Sequence, residues 1–527
     1  MDFFPKDTLC SRIKERWAQR KTRFVKLKQL RQDFSGFCFS TVNCGRTMPV
    51  LGISALDYIY NLKGLEYPSE EYTKTRAKIH TRVANRILWL CKKNGGIYLK
   101  TGQYLGSLET LLPKEYTDTL KVLQDKAPNV ALEKIKVVIE TDFGKTLEEI
   151  FSSFDPTPIA AASLAQVHKA VLRKNGEEVA VKIQFPTLRV QTYYDMIVMS
   201  FCLKVVARLT KWYRFRGLNW VEFFDNFKES LSNELDFIQE ANNAMKTREE
   251  FEDDDRLYIP NYYLQFSGKR MLVMEFIKNT LKVSEAEEIK KKYGDKQAVE
   301  LSKTLIDIFS KMIFITGHIH ADAHPGNILI REHPKNPKIP QVVLIDHGLY
   351  CNLTKEFIDQ FRRLWFSMVT FDNVKMKEIA HEMGLGEHYR FLPLLFTYRT
   401  INSTKPLGGK LTDQERRFLK VNDEMNFEKI GMLTEKLPSN ICFIFKTAQY
   451  TLIHNKRLGG SIRYQLISFS DYCIQGLTLK DSILSYYSTK CLFYLKMILF
   501  EYFFGIYKFF FGFYVPKFDE NNEIVIE

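Results

Sequence analysis

Val179-Ala180-Val181-Lys182 sets one lysine into an apolar run. On a strand such a lysine presents a single ammonium at a sheet face, where it can hold phosphate oxygens. Taken alone it equally suits an edge residue snorkelling to water. Glu240 lies in the helical stretch Glu234-Leu235-Asp236-Phe237-Ile238-Gln239-Glu240. A phosphate-binding lysine in a closed cleft needs a carboxylate to orient it, because an unpaired buried charge is costly; the bland alternative is a solvated acidic helix face. His320-Ala321-Asp322-Ala323-His324-Pro325-Gly326-Asn327 places an aspartate five residues before an asparagine, in a loop ending at apolar Ile328-Leu329-Ile330. With that spacing Asp322 can orient or accept the proton of an attacking hydroxyl while Asn327 ligates magnesium. Asp346-His347-Gly348 follows a strand expected at Val342–Ile345. There Asp346 would hold magnesium against nucleotide phosphates, and Gly348 gives the backbone room.

Each group is common by chance, but their order is that required for phosphoryl transfer: strand lysine, helix glutamate, D-x-x-x-x-N, then D-x-G. Such transfer is mostly positioning and charge neutralisation, so a lysine, two metal ligands and one placed carboxylate suffice chemically. A competing pattern, His318, His320, Asp322 and His324, could bind zinc as a metallo-hydrolase does. It separates Asp322 from His324 by Ala323 and leaves Lys182, Asn327 and Asp346 without tasks.

The elements that must carry these groups form an α+β, two-lobe layout. Residues Ser69–Ile139 have the three- and four-residue apolar spacing of helices. Pro156 and Pro158 break that pattern, and Gln166–Leu172 and Glu178–Gln184 then alternate around Asn175-Gly176, a strong hairpin signal. A second strand pair is predicted at Tyr262–Gln265 and Met271–Phe276, turned by Ser267-Gly268, with a helical stretch Trp220–Asn243 between the pairs. Beyond 280 the chain reads as mostly helix with a loop-rich segment at 316–350. The expected organisation is a basic and apolar segment 1–62, a helical extension 63–148, a small lobe 149–280, a larger lobe 281–480 and an apolar aromatic segment 481–527.

The chain has 527 residues, 45% hydrophobic and 26% charged, with a formal net charge of +14. This excludes a wholly disordered chain, a collagen-like fibre and a polytopic membrane protein. Its nine cysteines are odd in number and contain no C-x-x-C pair, which suits reduced thiols better than a secreted disulfide framework or a zinc ribbon. The first 31 residues are basic and poor in acid, as in a mitochondrial presequence, although serine is scarce and a solvated basic arm fits as well. Residues 34–60 are apolar but broken by Arg46 and Asp57, a weak candidate span. Residues 491–515 are rich in Phe, Tyr, Leu and Ile but carry Lys496, Glu501 and Lys508. Three charges cost on the order of 8–10 kcal/mol near a bilayer centre, so this segment is marginal as a span. An interfacial helix or a tail packed on the larger lobe are the other readings.

With these residues in view, the chain resembles the UbiB-type atypical kinases, also called the aarF domain-containing kinase family, over roughly residues 65–480. Lys100-Thr101-Gly102-Gln103 matches the family's K-x-G-Q signature. The run from Ala160-Ala161-Ala162-Ser163 to Gln166-Val167-His168 matches its alanine-rich loop, Glu234-x-Asp236 its E-x-D motif and His320–Asn327 its H-x-D-P-H-P-G-N loop. The pattern is most similar to the animal aarF domain-containing kinase one subgroup. The resemblance implies a two-lobe protein-kinase-like fold with a helical N-terminal K-x-G-Q extension. It implies that Lys182 holds nucleotide phosphates with Glu240 as its partner, Asp322 is the catalytic-loop aspartate, and Asn327 and Asp346 are metal ligands. Ala160, Ala161, Ala162, Ser163, Glu275 and Ile277 would line the nucleotide, the last two through backbone groups at the adenine. Lys100, Gln103, Glu234 and Asp236 would form a regulatory lid where a peptide substrate would otherwise lie. Ala323 departs from the family's proline, and His347 replaces the usual protein-kinase phenylalanine.

The expectation that follows is an atypical kinase or ATPase using ATP and magnesium. The resemblance places it in mitochondria, at or near a membrane, in lipid or cristae homeostasis, with protein partners compatible and no nucleic acid expected. Two alternatives stand beside it. One is a nucleotide-binding scaffold acting without phosphoryl transfer; the other is a small-molecule kinase of the aminoglycoside phosphotransferase type, which has a similar H-x-D-x-H-P-G-N loop.

Overall fold

A computed structural model of the chain describes residues 34, 38–66, 69–107, 112–123, 130–161, 164–186, 188–212, 228, 231, 235–399, 401, 407–408, 437–478, 482–511, 517–518 and 524–525. The basic stretch expected to act as a presequence therefore lies outside the described residues, as do Ala162, Ser163 and Glu234. The chain divides into two compact units. One takes in the residues up to Ala241 with Asn261–Phe276; the other takes in Asn242–Pro260 and the chain from Ile277 onward.

The first unit begins with helices. After a helix over 38–62 come α1 (Glu70–Asn94), α2 (Gly96–Ser107) and α3 (Lys114–Leu120). Ser69 starts α1 by accepting from the Tyr72 amide at 3.1 Å. Glu70 and Glu71 in its first turn and Lys92 and Lys93 in its last complement the helix dipole. Ile79, Val83, Ala84, Leu105, Leu120 and Leu123 form the helices' shared core. Gly102 lies where they approach most closely: a Cβ there would stand 2.4 Å from Leu123 Cδ1 and 2.8 Å from Cys91 Sγ. The K-x-G-Q glycine thus has a packing reason of its own.

Helix α4 (Leu132–Phe143) then covers one face of an antiparallel sheet of β1 (Phe151–Phe154), β2 (Ala165–Leu172), β3 (Glu178–Gln184) and β4 (Met271–Glu275), ordered β1-β2-β3-β4. Ala160 and Ala161 add a short rung to β2 opposite Val167 and Gln166. The Asn-Gly hairpin is present, with Gly176 at φ 73° and its amide donating to Leu172 O at 2.9 Å. The second pair differs from expectation. Leu264–Phe266 is a 3-10 turn, and Tyr262 makes an isolated bridge to Met274. Ser267 explains this: its Oγ accepts from the Val273 amide at 3.0 Å and donates to Tyr263 O at 2.9 Å, so a side chain meets a β4 donor that a strand would have used. The unit also holds α5 (Leu188–Trp212) and the first turn of α6 (Phe237–Glu250). Much of the expected helix Trp220–Asn243 lies outside the described residues; residues 228 and 231 are helical, and α6 runs on past Asn243 to Glu250.

The second unit is mostly helical. In it α7 (Asp295–Lys311) continues as a π turn, Met312–Thr316, and stops at Gly317, φ 66°. The segment expected to be loop-rich, apart from the strand at Val342–Ile345, holds two small ladders. β5 (His318–His320) pairs with β8 (Tyr350–Asn352), and β6 (Ile328–His333) with β7 (Asn336–Leu344). Leu257–Tyr258 adds parallel to β7, and Leu281–Lys282 adds to β6. Pro337 and Pro340 in β7 argue against a strand locally, yet they fall where the register shifts, between Asn336 and Pro340. The core gathers Phe314 of the π turn, Phe361 and Trp365 of α8 (Lys355–Val369), Phe396 of a short helix (Leu392–Thr397), Ile444 of α9 (Ser439–Arg457) and Phe469 of α10 (Ile462–Thr478). The last helix, α11 (Ile483–Phe511), buries Phe493 in this core and lays Tyr494 and Met497 on it, while Leu495, Ile498 and Leu499 are exposed. Of the three readings of this tail, its first half is a packed helix. Among the described residues no helix is long and apolar enough to cross a membrane.

Candidate active site

In the first unit, alternation along β3 sends Val179, Val181 and Ile183 into the core under α4 and leaves Lys182 on the opposite face. There Leu272 of β4 packs with Phe237 and Ala241 of α6. Lys182 Nζ lies 2.8 Å and 2.9 Å from the two carboxylate oxygens of Glu240 and 5.2 Å from the Phe237 ring centre. The side chains are only 12% and 2% exposed. The carboxylate and the ring compensate the water that an ammonium so enclosed gives up.

The alanine-rich loop is tied down from its far end. Gln166, fully buried, donates to Val130 O and to His168 Nε2, and its Oε1 accepts from the Val130 amide. His168 Nδ1 donates in turn to Asp155 O at 2.8 Å, and burial holds its imidazole below the usual range, in keeping with this neutral form. Gln166 and His168 belong to the alanine-rich motif, and this chain of donors anchors the loop through them. Glu275 continues β4, its amide donating to Asn261 O at 2.8 Å. Ile277 opens the second unit. Within the expected lid, Gln103 donates to Leu123 O at 2.8 Å, and Asp236 accepts from the Ile238 amide at the start of α6 and faces Lys269 at 3.9 Å.

In the second unit the oxygen-bearing residues converge. Asn327 donates from Nδ2 to Asp322 O at 3.0 Å and more distantly to Asp322 Oδ2 at 3.4 Å. Its own carbonyl accepts from the Ile345 amide at 3.0 Å, which sets it beside the residue preceding Asp346. Asp346 takes φ 62°, a conformation few non-glycine residues adopt, and its Oδ1 accepts from the Gly348 amide. Fully buried His320 links the two motifs: Nε2 donates to Asp346 O at 2.9 Å, and Nδ1 accepts from the Asp322 amide at 3.3 Å. Burial lowers the pKa of this imidazole from the ordinary histidine value, in keeping with a neutral ring.

Behind the motifs His347 donates to Leu344 O and accepts from the Tyr350 hydroxyl at 2.8 Å; burial pushes its pKa down to about 3. His318 stacks on Tyr350 with ring centres 4.2 Å apart and donates to Asn352 Oδ1. His318 and His320 therefore serve as scaffolding. Among the described residues no group of three or more His, Cys, Asp or Glu side chains could hold a metal ion, which removes the zinc pattern.

Helix α9 supplies residues that sequence spacing did not reveal. Thr447 donates to His320 O at 3.4 Å, His454 donates to Ala323 O at 3.0 Å, and Tyr450 meets His324 edge-on. Lys446 Nζ lies 3.7 Å from Asp322 Oδ1. These residues lie far along the chain from the loop they hold, so no local pattern could have pointed to them.

Residues 122–380 match the ABC1 atypical kinase-like domain. The chain is 36% identical over 442 residues to AarF domain-containing protein kinase 1 of Mus musculus, covering 83% of this chain and 82% of that protein. It is 34% identical over 420 residues to AarF domain-containing kinase 1 of Drosophila melanogaster, covering 79% of each. A solved structure, the Rv3197–erythromycin complex from Mycobacterium tuberculosis, aligns with TM-score 0.48 and 21% identity over 77% of this chain and 99% of that one. The chain belongs to the ABC1, or AarF domain-containing, family of atypical kinases, with that family's kinase-like fold.

Proposed function

We propose that this chain binds magnesium–ATP and transfers or hydrolyses the terminal phosphoryl group. The observation that carries the reading is the assembly in the second unit, where Asn327 bonds Asp322 while its backbone bonds the residue before Asp346. On this reading Lys182, held by Glu240, takes the nucleotide's inner phosphates. Backbone groups near Ala160, Ala161, Ala162, Ser163, Glu275 and Ile277 line the rest. Asp322 orients the attacking hydroxyl or water and receives its proton as the new P–O bond forms and ADP departs. One carboxylate and one amide oxygen are a donor set that suits magnesium, which keeps waters and takes phosphate oxygens besides protein ligands. Bound by Asn327 and Asp346, magnesium would neutralise phosphate charge.

Lys100, Gln103, Glu234 and Asp236 are proposed as a lid that limits access by large acceptors; the close packing at Gly102 and the Gln103 bond to Leu123 O favour a fixed rather than a loose segment. We place the protein in mitochondria, at a membrane, in lipid or cristae homeostasis. The acid-poor basic start and the exposed apolar face of α11 support that placement.

The test is nucleotide binding and turnover by the purified full chain and two variants. Asp346→Asn should lose magnesium-dependent ATP binding. Asp322→Asn should keep binding but lose turnover by roughly 10²–10⁴-fold, the usual worth of a placed base. A wild-type chain that binds no ATP with magnesium present would refute the proposal. Turnover unaffected by Asp322→Asn would remove its proposed catalytic role.

A further inference from the structure

We propose that Lys446 is the cation that reads the terminal phosphate of ATP; this rests on the phosphoryl-transfer reading above. Between Asp322 and Asn327 the loop runs Ala-His-Pro-Gly, so it carries no lysine or arginine of its own. His324 turns its Nδ1 to accept from the Gly326 amide, as its place in that tight turn requires. A neighbouring positive charge comes instead from α9, outside the segment that matches the family domain. Lys446 Nζ stands 3.7 Å from Asp322 Oδ1, with the lysine side chain 19% exposed and its ammonium 5.7 Å from the Tyr450 ring centre.

Its position is fixed by its own helix. Thr447, Tyr450 and His454, spaced one, four and eight residues on, engage His320, His324 and Ala323 respectively, so the same stretch of α9 that carries Lys446 is fastened along the loop. A lysine held there needs little reorganisation to act, the condition under which a fixed charge is worth most.

The chemistry follows from what Asp322 does. If it orients the group that attacks the terminal phosphorus, that phosphoryl arrives within a few ångströms of Lys446. Its peripheral oxygens carry the charge that grows during transfer, and a compact ammonium is suited to them. ADP has no group at this position. Lys446 therefore discriminates between the two nucleotides, whereas Lys182 acts on phosphates common to both.

The experiment measures dissociation constants for ATP and ADP, each with magnesium, using wild type, Lys446→Met, Lys446→Gln and Lys446→Arg. A charge-assisted contact of this kind predicts that Met and Gln weaken ATP by about tenfold or more while ADP changes by less than about twofold. Arg should restore most of the ATP affinity. Equal losses for both nucleotides, or no loss for either, would overturn the inference, since a packing role moves the two together. A wild type that binds neither nucleotide overturns the functional reading itself, and this inference with it. The Gln variant keeps the test decisive if Met fails to fold.

Discussion

The enclosed pair of Lys182 and Glu240 decides more than any other contact in the first unit. Two charges this poorly exposed are held by each other at 2.8 Å, so removing one strands its partner. Glu240→Gln should therefore lower the stability of the full chain by about 3–5 kcal/mol in urea unfolding. Replacing both, with Lys182→Met and Glu240→Leu, should recover most of that loss, because an apolar pair needs no compensation there. Nucleotide binding should not return with stability. If it did, the lysine would have no role at the phosphates, and the pair would be structural. Asp346 makes a similar point on the other motif: a non-glycine residue at φ 62° stores strain of about 1–3 kcal/mol, and such strain persists where surrounding bonds over-determine it. Here the His320 and Gly348 bonds do so.

Among the elements, α2 and α9 carry the interesting constraints. The face of α2 that presents Gly102 and Gly106 approaches Leu123 and Leu120 so closely that a methyl group has no room at Gly102. Gly102→Ala should destabilise the chain by about 1–3 kcal/mol despite the better helix propensity of alanine. Leu123→Ala combined with it should cost less than the sum of the two single changes, measured as a double-mutant cycle by denaturation. Additive losses would show that the close approach is relieved elsewhere. Helix α9 works differently, as a splint: its Thr447 and His454 bonds satisfy backbone carbonyls of the His320–Ala323 segment, which Ala323 leaves without the φ restraint that a proline would impose.

For the molecule as a whole, buried neutral histidines give stability a pH dependence of definite sign. Burial holds the His454 imidazole down at about 4, against about 6.5 in an unfolded chain. The unfolded state thus takes up a proton first as pH falls, so this contribution is complete above about pH 6.5 and is lost progressively toward pH 4. Between pH 7 and 5 it amounts to about 2 kcal/mol, and His454→Gln, which keeps a donor for Ala323 O, should reduce the loss of urea stability over that interval. An unchanged pH slope would remove His454 from the account. How much of this was legible in advance differs by kind of feature. The four reactive groups, the Asn-Gly hairpin and the helical run before it could be read directly, because turn chemistry, strand alternation and motif spacing are local properties of the chain. Around 316–350 the strand at Val342–Ile345 was legible from its apolar run, but the other strands there were not, since strands as short as His318–His320 and Tyr350–Asn352 have no periodicity to read, and the false strand at Tyr262–Gln265 was undone by one serine hydroxyl competing for a backbone donor. The sequence by itself determined the order of strand lysine, helix glutamate, D-x-x-x-x-N and D-x-G on which the proposed phosphate and metal roles rest. Only the tertiary structure decided that His318 and His320 are scaffolding, that Gln166 anchors the alanine-rich loop, and that Lys446 stands at Asp322. These depend on burial and on neighbours distant along the chain, which exist only once helices and strands have packed.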